Sequence, residues 1–385
     1  MNNDIRSIFD NGKIDFNNSN TGAEWTFTAV GDYGTIPAVA VNVAKNGIAP
    51  LAAHINELIE ADISIANLEV GLTSADNVEG RGVRGDRELF MQLHEAAPFT
   101  AYSFANNHIR DAGADALNET FQNLKSNNIP YVGGGRNISE AESPLILDCK
   151  GIKLGILAFA QKENQIADDN TPGAAELIAD KVINAAEKLV NECDVPIVIM
   201  HEGYEFMDFP RLQFMELCRK LADIGIKLVI GHHSHVPQGI EKIGNSLIFY
   251  SLGNFLFHQP HFDKYQWSSC SFVPAITFKG AEIASLELRP LKIEAFPLDV
   301  RVSNTGERKA MFKHLKENSE VIYDKKKIRK GLEEFYTNIL FPEFFGYITN
   351  YANDNNKDFS KMIEQFKGQK PVHNLLADFL EIYGK

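Results

Sequence analysis

The chain has 385 residues, with 38 basic and 51 acidic side chains and a formal net charge of −13. Hydrophobic residues make up 44% and charged residues 23%, a globular mix that excludes wholesale disorder, collagen and a disulfide scaffold. The acidic balance argues against a general nucleic-acid surface, which needs a basic excess.

No apolar run of about 20 residues occurs, so no transmembrane segment is expected. The N-terminus lacks the basic-then-apolar order of a secretory signal, which predicts a cytoplasmic protein. Cys149, Cys193, Cys218 and Cys270 show no CxxC spacing and read as free thiols.

Residues 1–23 are polar and Asn-rich and read as a loose lead-in. From Trp25 the texture changes. WTFTAVG, ISIAN, AYSFAN, IPYVG, KLGILAFA, VPIVIM, KLVIG and SLIFYS are short apolar runs, which predict buried strands. Helical patterns separate several of them, over Asp115–Ser126, Asp180–Glu192 and Arg211–Ile224. This alternation predicts an α/β architecture. SFVPAITF, EIASLELRP and LKIEAFPLDV then come in quick succession and predict antiparallel strands, making the sheets mixed. Residues 24–304 therefore form the predicted main domain, and 305–385 a helical C-terminal extension. Within the extension, Lys325–Lys330 reads as a solvated helix face and Phe341–Tyr351 as core.

The functional signal lies at the strand ends. Six of them bear polar side chains: Asp32; Asn67 and Glu69; Asn106, Asn107, His108 and Asp111; His201, Glu202 and Glu205; His232, His233 and His235; and Asn254. In α/β folds these ends build the ligand site, and a whole set of them is hard to explain as packing. Carboxylates, an amide oxygen and neutral imidazoles suit Mn, Fe or Zn, and no thiolate points to a structural zinc cage. The pair in His233-Ser234-His235 can give one imidazole to each of two neighbouring ions.

The order GD, NLE, NNH, a lone His, HxH and GN resembles the calcineurin-like metallophosphoesterase superfamily. Within it, the chain is similar to the CapA-type branch, the bacterial capsule or poly-γ-glutamate synthesis proteins. NLE (67–69), SFANNHIRDAG (103–113), MHEGYEF (200–206) and LVIGHHSHVPQGIEKIGNSLIFYSLGNFLF (228–257) carry the likeness, which spans roughly residues 25–300. The resemblance implies a four-layer α/β/β/α sandwich and one or two divalent ions. It implies that Asp32 and His235 hold one ion, that Asn107, His201 and His233 hold the other, and that Glu69 bridges them. His108 would face the substrate, and Asp111 would orient it. The superfamily usually has His two residues after the first Asp; here that place is Gly34. The bridging position holds Glu69, one methylene longer than the usual Asp.

Asn67, Arg84, Arg87, Glu202 and Asn254 are the candidate substrate contacts. The arginines lie in EGRGVRGDRE (79–88), a Gly-broken loop expected to fold over the site. His232 reads as hydrogen-bonded and structural, and His258 and His261 as loop histidines. The expected reaction is hydrolysis of a phosphoester or related small acidic intermediate, by hydroxide activated on the metal with His108 assisting. Two alternatives stay open: a non-hydrolytic role in polymer assembly, and proton-transfer chemistry of the epimerase type on the same fold. The C-terminal helices are the expected surface for a second copy or a partner.

Overall fold

Alternating side chains along the strand Ile152–Ala160 show how the layers arise. Leu154, Ile156, Ala158 and Ala160 enter one apolar cluster, while Leu157 and Phe159 enter another. Successive strand residues face opposite sides, so a strand apolar on both sides must be covered twice. The computed structural model describes residues 3–16, 21–74, 82–163 and 165–340. Two large mixed sheets face each other across the first cluster. Helices Ala179–Glu192 and Leu212–Ile224 close the second, and further helices cover the other sheet, giving the α/β/β/α order.

Among the described residues the first sheet has eight strands. Its order is Lys13–Asp15, Glu282–Ala295, Cys270–Lys279, Glu24–Tyr33, Ile63–Leu68, Ala101–Ser103 and Tyr131–Val132, with Leu298–Val302 also paired to Glu282–Ala295. The second has six, ordered Ile240–Ile243, Ser246–Phe249, Leu228–His232, Val195–His201, Ile152–Ala160 and Leu145–Cys149. Each contains a run of four parallel strands. The stretch from Cys270 to Val302 is antiparallel, as its pattern predicts.

At the ends of these parallel runs the segment Ser251–Leu256 crosses from one sheet to the other. Leu252 N donates to Gly231 O (3.2 Å), Asp32 N to Gly253 O (3.0 Å) and Phe255 N to Asp32 O (2.8 Å). Only glycine fits at Gly31, because an added Cβ would collide with the Gly253 carbonyl. The pairing register also shifts between Val30 and Asp32, which turns Asp32 out of the plain strand alternation.

The lead-in differs from its loose expectation. Lys13–Asp15 pairs antiparallel with Glu282–Ala295, and Ile5, Ile8 and Phe9 are buried. Three residues of backbone pairing leave almost no mark on composition. The first part of the C-terminal extension is helical, over Thr305–Val321 and Lys325–Phe335. Asn304 caps the former with a complete capping box to Glu307. These helices pack on the strand-end loops. His314 Nε2 lies 3.0 Å from Pro237 O, and Phe335 and Tyr336 meet the Tyr204 ring at 5.7 and 5.8 Å between centroids. In the Lys325–Lys330 run Ile328 faces inward and the basic side chains outward. The Phe341–Tyr351 string and Arg81 lie outside the described residues. All four cysteines are free, and no helix among the described residues is long and apolar enough to cross a membrane.

Candidate metal centre

The buried ends of the parallel strands bring six of the candidate residues together. Asp32, Glu69 and His201 are 0% exposed, and His233 and His235 are 4% and 2%. Glu69, His201 and His233 place one ligand atom each within 4.8 Å of one another, and so do Asp32, Glu69 and His235. Glu69 is common to both groups. Asn107 joins the first, with Oδ1 2.9 Å from His201 Nε2, and His233 Nδ1 lies 3.0 Å from the same nitrogen. In the second group His235 Nδ1 lies 3.0 Å from Asp32 Oδ2 and 2.9 Å from Asn254 Oδ1.

Local backbone aims the two imidazoles. His233 and His235 have φ of 90° and 55°, in the left-handed region that β-carbon-bearing residues seldom adopt. The turn is held by Ser234, whose hydroxyl donates to Val236 O (2.8 Å) and whose carbonyl accepts from Phe206 N (2.7 Å).

The residues fit a divalent cation. Glu69 Oε1 is buried without a hydrogen-bond partner, which is costly unless a cation or proton meets it. Burial, then the neighbouring Asp32 carboxylate, push the Glu69 carboxyl well above its usual range. Burial would also raise Asp32, but hydrogen bonds from His232 and His235 outweigh it and hold that carboxyl well below. Burial keeps His201 far below the usual imidazole value and lowers His233 to about 4, so both rings are neutral and keep a lone pair. Neutral imidazole, carboxylate and amide oxygen form a mixed donor set of the kind that binds Mn, Fe or Zn.

Gly34 is not an open gap. A Cβ there would collide with Val70 Cγ1 and lie 3.5 Å from Phe257, so that wall of the second group is closed by apolar side chains. His232 sits nearby with Nδ1 3.4 Å from Asp32 Oδ1.

His108 and Asp111 stand beside the first group. His108 Nδ1 lies 2.6 Å from Asp111 Oδ2, and that oxygen also accepts from Val83 N at 2.6 Å. The loop that carries the arginines thus touches the pair through its backbone.

Four of the five candidate substrate contacts are engaged elsewhere. Asn67, 1% exposed, lies among the ligands, with Nδ2 donating to Asp32 Oδ1 at 2.8 Å. Asn254 is fully buried and bonds His235 and the Ser268 carbonyl, so its amide holds an imidazole. Glu202 pairs with Arg211, both buried. Arg87 pairs with Glu119 at 2.7 Å and bonds Ser74. Arg84 lines a neighbouring cavity.

Two site residues escaped the sequence reading. Gln161, 1% exposed, places its amide 2.7 Å from His233 Nε2. Its amide nitrogen faces that ring nitrogen, and its Oε1 accepts from Gly203 N at 3.4 Å, so Gln161 is fixed against the imidazole from behind. Glu163 is within reach of Gln161 (3.4 Å); burial raises its carboxyl, while His108 and Asn107 oppose the rise. Both come directly after the strand Ile152–Ala160, so their position was the available signal.

Residues 26–259 match the family model described as bacterial capsule synthesis protein PGA_cap. The chain is 28% identical over 209 residues to PGA biosynthesis protein CapA of Bacillus subtilis (strain 168), covering 52% of this chain and 54% of the relative. It is 27% identical over 248 residues to capsule biosynthesis protein CapA of Bacillus anthracis, covering 61% and 60%. The matches therefore span a little over half the length of these relatives. Among solved structures, a novel phosphatase of Mycoplasma pneumoniae matches with a TM-score of 0.44 and 13% identity, covering 71% of this chain and 95% of that one. A 5'-nucleotidase precursor of Thermus thermophilus matches with a TM-score of 0.41 and 13% identity, covering 78% and 59%. With more than half of its length matched by the family model, the chain belongs to the PGA_cap family of bacterial capsule synthesis proteins.

Proposed function

We propose that this protein is a metal-dependent hydrolase acting on a phosphoester or related acidic biosynthetic intermediate. The observation that carries the reading is the pair of buried donor groups sharing Glu69, with an unpartnered Oε1 between them and the His108–Asp111 pair alongside. Asn107, Glu69, His201 and His233 would hold one divalent ion, and Asp32, Glu69 and His235 a second. Bound there, such ions supply Lewis acidity toward the ester oxygens and acidify water at the site.

The chain's own groups do the rest. Asp111 accepts the Nδ1–H of His108 and fixes its tautomer, so that Nε2, 3.4 Å from Asn107 Nδ2 beside the donor group, is the nitrogen that would exchange a proton with the leaving oxygen. Asn254 and Asn67 hold His235 and Asp32 in place. The test is phosphate or phenol release from p-nitrophenyl phosphate and its bis ester by Mn-loaded protein. His108→Ala is expected to lower kcat about 10²- to 10⁴-fold at unchanged metal content. Equal turnover in wild type and His108→Ala would overturn the role of His108.

A second reading is favoured by Glu163. This carboxyl and His108 both neighbour Asn107, an arrangement suited to moving a proton between two faces of a substrate. Exchange of substrate C–H for deuterium in heavy water, without release of phosphate, would favour it over hydrolysis.

A further inference from the structure

One face of the molecule carries both a knob and a hole. The knob is Phe296, at the tip between the strands Glu282–Ala295 and Leu298–Val302. It is 77% exposed, while the other large apolar side chains among the described residues reach at most 42%. The hole is a cavity of about 910 Å³ beside that tip, whose walls include Ile36, Val41, Val83, Arg84 and Asp263. Val41, on the helix Pro37–Asn46, is itself exposed, so apolar surface continues from the tip across the rim.

The same wall carries one charge of each sign. Arg84 forms no ion pair among the described residues, so the two charges do not pair within one chain. The Asp263 side chain is 69% exposed, and its Oδ1 lies 3.0 Å from His258 Nε2. A carboxylate has two oxygens and room for further donors, so Asp263 keeps capacity for a cation from outside.

A face that holds knob and hole, cation and anion, is complementary to itself. An isologous contact requires this, because a two-fold axis sets one patch against the same patch. Large aromatic side chains and arginine are also what interface cores collect. We propose that this face is the interface of a two-fold dimer of this chain. Each Phe296 enters the other copy's cavity, against Ile36 and Val41, and each Arg84 meets the other copy's Asp263. Every contact occurs twice. A lipid surface would suit the phenyl ring but gives no use to a carboxylate in the same wall. Val83 N bonds Asp111, so the dimer steadies the backbone that touches the His108–Asp111 pair. The interface does not depend on the metal assignment.

Sedimentation velocity of the full chain tests it, on protein in EDTA and on Mn-loaded protein. A dimer at micromolar concentration is expected in both, so the result is separable from failure of the metal reading. Phe296→Asp should give a monomer. Arg84→Glu and Asp263→Arg each set like charges against one another twice, and each should weaken association at least about tenfold. An equimolar mixture of those two variants restores both ion pairs across the axis and should dimerise as wild type does. A structural defect in either variant would not be repaired by mixing. A monomeric wild type, a Phe296→Asp dimer as tight as wild type, or no recovery on mixing variants with wild-type melting curves would each overturn the proposal. A monomer that binds phosphatidylcholine vesicles through Phe296 would overturn it too, by assigning the face to a lipid surface.

Discussion

The two donor groups that share Glu69 are built differently. In the Asp32–His235 group most polar atoms satisfy one another: Asp32 bonds His235 and Asn67, and His235 also meets Asn254, while Glu69 Oε1 is left without a partner. In the His201–His233 group lone-pair donors face each other at 2.9 and 3.0 Å, rings that burial keeps neutral. The Asp32–His235 group is already extensively hydrogen-bonded, and its wall at Gly34 is filled by Val70. The His201–His233 group has four donors and needs a cation to relieve their crowding. Proximity of good ligands is therefore a poorer guide to ion affinity than whether those ligands have anything else to bond.

The sharpest way to break that contrast is metal content. His233→Ala should strip the tighter ion and lower turnover at least about 10³-fold, as loss of the metal's transition-state role implies. Asp32→Ala should remove only a weaker second ion. Elemental mass spectrometry of both variants, purified without chelator, checks this; loss of all metal in Asp32→Ala alone would invert the ranking.

A second prediction uses acid. Burial lowers His314 to about 4, against 6.5 for an ordinary imidazole, with the Pro237 carbonyl opposing. A lowered value means the unfolded chain binds the proton more readily than the folded one. The stability from the neutral ring is full above about pH 6.5 and drains as pH falls toward 4, by about 3 kcal/mol. Urea unfolding between pH 7 and 4 should show that slope, flattened in His314→Gln. Because His314 braces Pro237, two residues past His235, the acid loss tests whether the self-satisfied group depends on the C-terminal helix.

The smallest expected effect is at Gly34. Gly34→Ala forces a methyl onto Val70, an overpacking cost of about 1–3 kcal/mol, visible as a lower melting temperature. Val70→Ala should relieve it in the double variant. An unchanged melting temperature in the single variant would mean that the wall yields, leaving room for a further ligand there.

Much of this was legible because strand ends in a parallel sheet share one edge. Asp32, Glu69, Asn107, His201, His233 and His235 are far apart along the chain, yet each closes or directly succeeds a short apolar run. What the sequence could not express was pairing across loops. Glu202 lies nine residues from Arg211, and nothing local says that the two are buried together. Asn254 reads as a site residue, but whether its amide faces ligand or backbone depends on the Ser268 carbonyl behind it. Gln161 and Glu163 sit in a stretch that looks like an ordinary polar turn. The N-terminal strand escaped for a related reason: a three-residue ladder is a backbone event.

The order of pairing in the eight-stranded sheet has a consequence for biosynthesis. Glu24–Tyr33 pairs with Cys270–Lys279, and Lys13–Asp15 with Glu282–Ala295. A chain growing from the ribosome makes the N-terminal strands first, yet their partners emerge about 250 residues later. At roughly 5–20 residues per second, one flank of Glu24–Tyr33 waits for many seconds as an unpaired edge. The six-stranded sheet draws its strands from a single contiguous stretch, Leu145–Phe249, and is complete before that wait ends. Nascent chains arrested before residue 270 should therefore recruit a holdase chaperone at the exposed flank and release it once the hairpin beyond Cys270 has been made.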